Sequence, residues 1–224
     1  MKLVEYPDSE MMMIDLGNTL AGALENALLS QDRVSFAVPG GTTPGPIFDV
    51  LCGANHLDWS RIYVMLTDER WVPENSERSN TRLLRKRLLV GAAAAAQYVP
   101  LYGGTDTPEQ SLAALEDGLR PCLPVSVMLL GMGADMHTAS IFPGADKLDE
   151  ALTGDSLLVP MRAPGAPEPR ITLSAKVLQG AMSRHIVIKG LEKREALERA
   201  QSLSPHDAPI AAVLAGSTVH WAEH

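Results

Sequence analysis

The sequence is poor in aromatic residues and has no excess of positive charge. Phe, Trp and Tyr make up 4% of its 224 residues, so it offers little surface on which nucleic-acid bases would stack. The formal net charge is -8, whereas a protein that binds nucleic acid or an anionic membrane needs a basic face. We therefore expect neither as a partner. An anionic substrate would need a local cluster of basic side chains.

Cysteine is also scarce, and long apolar runs are absent. Cys52 and Cys122 stand in apolar stretches without the spacing of a metal or redox site, which is typical of buried, reduced thiols. The opening MKLVEYPDSE is too acidic and too polar for a signal peptide. No apolar run approaches the ~20 residues that cross a bilayer. The sequence predicts a cytoplasmic protein that does not bind membranes.

Strand and helix patterns alternate along almost the whole chain. Short apolar runs predict buried strands, and apolar residues three and four apart predict helices. Strands are predicted at 33–38, 61–66 and 125–130, within GAAAAAQYVPLYGG, and in RITLS, SRHIVIKG and STVHWAEH. Helices are predicted at 10–30 and in TTPGPIFDVLC, SNTRLLRKRLLV, TPEQSLAALEDGLR, SAKVLQGA and LEKREALERAQSL. Such alternation is typical of a mostly parallel sheet covered on both faces. We expect one three-layer, Rossmann-like α/β domain over residues 1–224.

Capping residues and chain breakers mark several boundaries. Thr43 is the expected N-cap of the second helix, with Pro44 at its first position. The third helix is expected to open near Ser79 or Asn80, and the Thr-Pro-Glu start of the fourth has the pattern of a cap. MRAPGAPEPR contains four breakers and predicts a loop.

The stretch VPGGTTPGPI, residues 38–47, follows the first predicted strand. In open α/β sheets the functional site lies outside the carboxyl ends of the strands. The two glycines allow backbone amides to face outward, and the following helix adds the positive end of its dipole. Together these would form a cradle suited to phosphate. The alternative is a glycine-rich turn that binds nothing.

A second polar stretch, LTDERWVPENSERSN at 66–80, follows the next predicted strand. Asp68, Glu69 and Arg70 leave a buried strand together, where a plain loop would not need three charges. Arg70 is suited to holding a carboxylate, a phosphate or a developing oxyanion. The alternative is a solvated charged turn with an internal salt bridge.

The third stretch, LLGMGADMHTASIFPG at 129–144, places an aspartate and a histidine after a strand. Gly131 and Gly133 predict a tight turn that brings the backbone close to another group. His137 is the natural acid or base at neutral pH, and Asp135 or a neighbouring carboxylate would orient it. An isolated histidine after a strand is more often structural. The other two motifs, at equivalent strand ends, favour a catalytic site here.

Other kinds of site fit this stretch poorly. A serine hydrolase would need a G-x-S-x-G turn, which Ser140 lacks. The other histidines show no metal-ligand spacing, so we expect no metal. A dinucleotide site is a poor match, because GMGADM has only the first two glycines of the fingerprint and lies in the middle of the chain.

Taken together, these motifs resemble those of the 6-phosphogluconolactonase family. GGTTP, TDERWVP with SN at 79–80, and GMGADMHTASIFPG occur in the family's order, and PEPRITLS and GLEKREAL resemble its later signatures. The matching segments span residues 38 to about 200. The resemblance implies a fold related to ribose-5-phosphate isomerase and glucosamine-6-phosphate deaminase, with no metal or organic cofactor. It also implies hydrolysis of 6-phospho-D-glucono-1,5-lactone to 6-phospho-D-gluconate in the oxidative pentose phosphate pathway.

The resemblance further implies roles for individual residues. His137 would act as general base toward the attacking water and then as general acid toward the departing ring oxygen, with Asp135 orienting it. Arg70 would stabilise charge in the tetrahedral intermediate or hold sugar hydroxyls. Asp68 would support the site. The substrate phosphate would contact a set of backbone and basic groups: Gly40, Gly41, Thr42, Thr43, Arg170 and Lys193.

One residue departs from the family pattern. Met136 stands between Asp135 and His137, where the family has glycine. If the backbone there is left-handed, a side chain costs about 1–2 kcal/mol. If the glycine only provides room, Met136 would crowd the substrate.

Two other functions therefore stay open. One is a glucosamine-6-phosphate deaminase, although that family has DEY followed by a different loop where this chain has DER followed by WVP. The other is a non-catalytic sugar-phosphate-binding protein, which Met136 alone supports. The sequence also leaves open whether Asp135 or Asp68 contacts His137, and it identifies no protein partner.

Overall fold

The computed structural model describes residues 1–224 and contains ten strands and eight α-helices. The strands are β1 (Lys2–Tyr6), β2 (Val34–Val38), β3 (Ile62–Leu66), β4 (Asp68–Arg70), β5 (Gln97–Val99), β6 (Val127–Gly131), β7 (Leu158–Met161), β8 (Arg170–Leu173), β9 (Ser183–Lys189) and β10 (Thr218–Ala222). The helices are α1 (Ser9–Leu28), α2 (Gly45–Leu51), α3 (Asn80–Arg87), α4 (Pro108–Leu119), α5 (Leu148–Thr153), α6 (Ala175–Gly180), α7 (Leu191–Ala200) and α8 (Ala211–Leu214). None of the helices has the length and apolar character that a membrane crossing needs.

Seven strands form one sheet in the order β1-β10-β9-β6-β2-β3-β5. All of its strand pairs are parallel, and every residue of β2 is buried. Burial on both faces is what a parallel sheet requires, because its crossover helices cover both sides. Since such crossovers are right-handed, α1 and α2 lie on one face and α4 and α7 on the other. The predicted three-layer α/β architecture with a mostly parallel sheet is confirmed.

The chain reverses its direction of travel across the sheet between the neighbouring strands β2 and β6. From β2 it crosses through α2 to β3, whereas from β6 it proceeds to β9 on the opposite side. Such a switch point leaves a crevice at the carboxyl ends of the strands, because the two connections diverge. The three polar stretches of the sequence all follow strands that surround this crevice.

A second, three-stranded sheet in the order β4-β8-β7 is antiparallel. β4 begins two residues after the end of β3, so this small sheet extends the structure from the carboxyl end of the large one. Its register places Asp68 opposite Thr172 and Arg70 opposite Arg170. Two guanidinium-bearing residues that are far apart in sequence are thereby made direct neighbours.

The sequence prediction misses β1, β4 and β7. β1 is a short edge strand that carries Lys2 and Glu5, β4 consists of three charged residues, and β7 contains Pro160. Each departs from the apolar runs by which strands are recognised. These strands form because partners distant in the sequence pair with them, which a local pattern does not report.

The predicted caps have mixed outcomes. Ser79 caps α3 by accepting a hydrogen bond from the Arg82 amide, and Thr107 is the N-cap of α4 in a capping box with Gln110, as predicted. The expectation that Thr43 caps α2 with Pro44 at its first position is wrong. α2 begins at Gly45, because the Pro44 carbonyl accepts the first helical bond, from Phe48 N, at 3.0 Å. Thr43 is left in the preceding turn.

Two buried histidines form a hydrogen-bonded chain on the β1, β10 and β9 side of the sheet. The Tyr6 hydroxyl donates to Asp15 Oδ2 at 2.7 Å and contacts His220 Nδ1 at 2.9 Å. His220 Nε2 contacts His185 Nδ1 at 3.1 Å, and His185 Nε2 contacts the Ser183 hydroxyl at 3.1 Å. These contacts are all satisfied when each ring carries one proton. Burial lowers the pKa of His185, and burial with the nearby His185 lowers the pKa of His220 to about 4.

This histidine pair makes stability depend on pH. A group whose pKa is about 4 in the folded chain and 6.5 when unfolded binds more protons in the unfolded state between these values. We therefore expect the free energy of unfolding to fall as the pH drops from 6.5 to 4, by an amount on the order of 2 kcal/mol from this site. Urea unfolding of wild type and His220→Gln at a series of pH values would measure the effect. The decrease in the free energy of unfolding at acid pH should be smaller in His220→Gln than in wild type. It should be unchanged in His56→Gln, a control at an exposed position.

Candidate active site

A cleft of about 270 Å³ lies at the carboxyl ends of the strands, at the switch point between β2 and β6. It is lined by Pro39, Gly40, Gly41, Thr42, Thr43, Pro44, Asp68, Arg70, Asn80, Gly131, Met132, Gly133, His137, Ala139, Arg170, Val187 and Lys193. Nine of the ten residues predicted for the site are in this lining. The tenth, Asp135, contacts His137 from outside the lining.

His137 and Asp135 form a close pair. His137 Nδ1 lies 2.5 Å from Asp135 Oδ1, and the His137 backbone N–H donates to the same oxygen at 3.2 Å. The ring also packs against Phe142 with 4.3 Å between centroids. Burial raises the pKa of Asp135, but the hydrogen bonds and charge of His137 outweigh it, and the pKa lies below its ordinary value. Asp135, not Asp68, is therefore the carboxylate in contact with His137.

Because an ionised carboxylate only accepts hydrogen bonds, Nδ1 of His137 carries the proton in this pair. In the neutral imidazole, the other ring nitrogen, Nε2, is then the unprotonated one. The pair thus fixes both the orientation and the tautomer of a histidine that lines the cleft. This is the arrangement a general base requires.

The two glycines before this pair have different surroundings. A Cβ at Gly133 would lie 2.3 Å from His137 Nδ1 and 2.4 Å from Asp135 Oδ1, so the pair occupies the volume that a side chain would need. A Cβ at Gly131 would meet nothing within 4 Å, because the residue faces the open cleft. The close approach predicted from the two glycines occurs at Gly133.

The turn that carries His137 has two left-handed residues, Met136 with φ 66° and Ala139 with φ 50°. The sequence allows two interpretations of Met136, a left-handed backbone or crowding of the substrate. The left-handed backbone is the one that the structure shows. Its side chain is half-buried and packs against the apolar core, and it is not part of the cleft lining. The Thr138 hydroxyl donates to the Gly131 carbonyl at 2.9 Å and closes the turn onto the end of β6.

The three charged residues of β4 lie in three different environments. The alternative interpretation of this stretch, a solvated charged turn, is therefore wrong. Glu69 is 0% exposed and accepts hydrogen bonds from the backbone amides of Asn80 and Thr81 at 2.8 and 2.7 Å. Its carboxylate also accepts the hydroxyls of Ser79 and Thr81. Glu69 therefore satisfies the free amides at the start of α3, where negative charge is favoured.

Asp68 is buried at the floor of the cleft. Its Oδ2 accepts the Ser140 hydroxyl at 2.5 Å, and its Oδ1 accepts the Thr67 hydroxyl at 3.2 Å. Arg170 Nη1 lies 4.0 Å from the same Oδ2, beyond hydrogen-bonding distance. The carboxylate is thus held by neutral hydroxyls beside an arginine that it does not bond.

Arg70 and Arg170 face each other across β4 and β8, and both have hydrogen-bonding capacity left over. Nε of each is buried without a partner, although Arg70 Nη1 donates to the Arg78 carbonyl at 2.6 Å. Burial lowers the pKa of Arg170. Arg78 is paired with Glu168 through its side chain. Buried donors without partners are costly, so these two arginines are suited to an anionic or hydroxyl-bearing ligand in the cleft.

The predicted cradle and Lys193 form another part of the lining. Gly41 has φ +85°, and a Cβ at Gly40 would lie 2.0 Å from Asn80 Oδ1, so this turn packs directly on the Asn80 side chain. Asn80 donates to the Asp68 carbonyl at 3.0 Å. Lys193 is in the first turn of α7, and burial lowers its pKa although the charges of Glu192 and Asp135 raise it.

Asn80 is the one polar side chain of the lining that the sequence prediction of the site leaves out. In the sequence it is recognisable only as a helix start and as part of the SN motif. Its close packing on Gly40 was detectable only from the structure, since the two residues are 40 positions apart. No cluster of three or more His, Cys, Asp or Glu side chains converges as a metal site would require.

Comparisons with known proteins agree with the motifs. The family model for glucosamine-6-phosphate isomerases and 6-phosphogluconolactonase matches residues 7–221. A 6-phosphogluconolactonase of Rhizobium meliloti is 39% identical over 99% of this chain and 98% of its own length. That of Pseudomonas aeruginosa is 39% identical over 92% and 88%.

Solved structures extend the comparison to the fold. The crystal structure of a 6-phosphogluconolactonase from Shewanella baltica has a TM-score of 0.95 at 32% identity and covers 99% of this chain and 97% of that one. A monomeric glucosamine-6-phosphate deaminase has a TM-score of 0.82 at 17% identity and covers 99% and 97%. At that identity the likeness shows a shared fold.

The packing at Gly133 generates a direct test. Gly133→Ala places a methyl group where His137 and Asp135 lie, so the pair must shift. We expect the rate of 6-phospho-D-glucono-1,5-lactone hydrolysis to fall by about 100-fold, because a displacement of a catalytic group by about 1 Å has an effect of this size. Gly118→Ala is the matched control, because a Cβ there meets nothing within 4 Å, and its rate should equal that of wild type. Wild-type activity in Gly133→Ala would show that the pair's position does not matter.

Proposed function

The chain belongs to the glucosamine-6-phosphate isomerase/6-phosphogluconolactonase family, and we propose that it hydrolyses its lactone through a water activated by His137. The reaction is the conversion of 6-phospho-D-glucono-1,5-lactone to 6-phospho-D-gluconate in the pentose phosphate pathway. It follows from relatives named 6-phosphogluconolactonase that are 36–40% identical over 92–99% of this chain. The observation that carries the mechanism is the Asp135–His137 pair at the cleft.

In the proposed first step, His137 Nε2 takes a proton from water as the water oxygen bonds to the lactone C1. Negative charge develops on the carbonyl oxygen of the tetrahedral intermediate. In the second step the bond between C1 and the ring oxygen breaks, and the proton on Nε2 passes to that oxygen. His137 is then neutral again. One residue serves as base and then as acid, while Asp135 stabilises the charged imidazolium between the two steps.

An arginine in the same cleft is assigned the role of charge stabilisation. Arg70 lines the cleft with a buried Nε that lacks a partner. A hydrogen bond to the developing oxyanion would satisfy it, and such preorganised donors are among the strongest contributors to catalysis. The sugar hydroxyls are the other group that Arg70 would hold.

The phosphate end of the substrate is assigned to the cradle of Gly40, Gly41, Thr42 and Thr43, with Lys193 and Arg170. Outward-facing amides of a glycine turn bind phosphate oxygens, and the two cations supply charge. This is the local basic cluster that a chain with a net charge of -8 needs for an anionic substrate. Asp68 supports the arrangement from the floor of the cleft.

The deaminase alternative would require a free carboxylate base next to the sugar. Asp68 is the aspartate of the DER motif, and both of its oxygens accept hydroxyl hydrogen bonds, from Ser140 and Thr67. Neither oxygen of this carboxylate is therefore without a hydrogen-bond donor. The position after Glu69 is also Arg70, where the deaminase pattern has tyrosine.

The non-catalytic alternative rested on Met136 alone. Its side chain packs against the core and is not in the cleft lining, so crowding of the substrate gives that alternative no support. Lactone hydrolysis is the function that the site favours.

The proposed base is tested with freshly generated 6-phosphogluconolactone, followed against its spontaneous hydrolysis. We expect His137→Ala to lose about 100- to 10,000-fold of the wild-type rate, the range for removal of a general base. Asp135→Asn should lose less, because the imidazole remains present but is less well oriented. His56→Ala, at an exposed position away from the cleft, should match wild type. Equal rates for wild type and His137→Ala would reject the mechanism and leave the reaction standing.

Met136 provides an independent test of the site. Met136→Gly removes a side chain from a left-handed position and from the core, and it leaves the cleft lining unaltered. We therefore expect kcat/KM to stay at the wild-type value, while thermal unfolding reports the balance between relieved backbone strain and lost packing. A large gain in kcat/KM would instead mean that Met136 obstructs the substrate.

A further inference from the structure

Ser140 is a buried residue to which the mechanism above gives no role. It lies three positions after His137, is 0% exposed, and its hydroxyl donates to Asp68 Oδ2 at 2.5 Å. Its backbone N–H donates separately to Thr172 Oγ1 at 3.2 Å. The residue therefore joins the catalytic turn to the small sheet twice, once through its side chain and once through its backbone.

The carboxylate that Ser140 holds has a stronger potential partner nearby. Arg170 is 8% exposed, its Nε has no hydrogen-bond partner, and its Nη1 lies 4.0 Å from Asp68 Oδ2. A buried carboxylate and guanidinium normally close to about 2.7–2.9 Å and often form two parallel hydrogen bonds. Here they remain apart, and the Asp68 oxygens accept hydroxyls from Ser140 and Thr67 instead.

We propose that Ser140 is a positioning residue that holds Asp68 away from Arg170, which keeps the Arg170 guanidinium available to the anionic group of the substrate. Without the Ser140 hydroxyl, Asp68 turns toward Arg170 and closes an internal ion pair. The substrate then has to displace that carboxylate before it binds. This inference rests on the proposed function, in which Arg170 contributes to phosphate binding.

The two bonds of Ser140 make the test specific. Ser140→Ala removes the side-chain bond to Asp68 and retains the backbone bond to Thr172, so the turn that carries His137 stays anchored. We expect KM to rise about tenfold, a typical effect for a hydrogen bond to a charged group, with a much smaller change in kcat. A general structural defect would not separate the two constants in this way.

A second substitution tests the route through Asp68. Asp68→Asn replaces the charged carboxylate with an amide, which cannot form an ion pair with Arg170. Adding Ser140→Ala to Asp68→Asn should therefore leave KM where Asp68→Asn alone places it. The matched control is Ser174→Ala, because Ser174 is also 0% exposed and its hydroxyl has no partner. Its KM and kcat should equal those of wild type.

Several results would overturn the inference. The first is a wild-type KM in Ser140→Ala, and the second is a fall in its kcat without a rise in its KM. The third is that Ser140→Ala raises KM as much in the Asp68→Asn background as it does in wild type. Ser140→Cys, with a weak donor of similar size, should give an intermediate KM and replaces the alanine variant if that variant does not fold.

Binding without turnover separates this inference from the proposed function. Calorimetric titration with 6-phospho-D-gluconate should show the same tenfold weakening in Ser140→Ala, on the basis of the same charged hydrogen bond. Absence of lactone hydrolysis by wild type would contradict the function. Equal affinity of wild type and Ser140→Ala for 6-phospho-D-gluconate would contradict the role of Ser140.

Discussion

The buried carboxylate of Glu69 is the constraint on which the geometry of the cleft depends. It ties β4 to the first turn of α3 through the amides of Asn80 and Thr81, and a buried charge is tolerated only when it is satisfied in this way. With β4 fixed, Asp68 and Arg70 on either side of Glu69 are directed toward the cleft. The same contact fixes Asn80, on which the Gly40 turn packs. One polar contact thus aligns two of the three strand ends that build the site.

The cleft also contains the cluster of basic side chains that an acidic protein needs to bind an anionic substrate. Arg70, Arg170 and Lys193 converge there from β4, β8 and α7, and Asp68 is the carboxylate in the lining. Each cation is partly or largely removed from water, and burial lowers the pKa of Arg170 and Lys193. Cations in such surroundings interact more strongly with a bound anion than exposed ones do. The lining therefore holds three cationic side chains and one carboxylate, although the net charge of the chain is -8.

The sequence predicted the parallel sheet and the three strand ends that surround the cleft because both depend on local signals, whereas Arg170 and Lys193 were expected only from the family resemblance. Apolar runs mark β2, β3, β6 and β9, and glycine or charged residues after three of these strands mark the cleft. Of the small sheet only β8 was predicted, because β4 and β7 pair with it over long sequence distances. The same pairing sets Arg70 opposite Arg170. The same limitation applies to the roles of Glu69, Asn80 and Ser140. Their partners lie more than ten positions away, except in two hydrogen bonds of Glu69, with the Ser79 hydroxyl and with the neighbouring Arg70 amide.

Position 136 bears on how members of this family are recognised in genomes. The left-handed turn before His137 accepts methionine with φ 66°, and the half-buried side chain packs against the core. A search pattern that insists on glycine at this position would discard chains whose histidine and aspartate are intact. Glycine at position 133 is the more discriminating criterion, because a Cβ there would lie 2.3 Å from the histidine ring. A pattern that fixes position 133 and leaves position 136 free would recover such sequences.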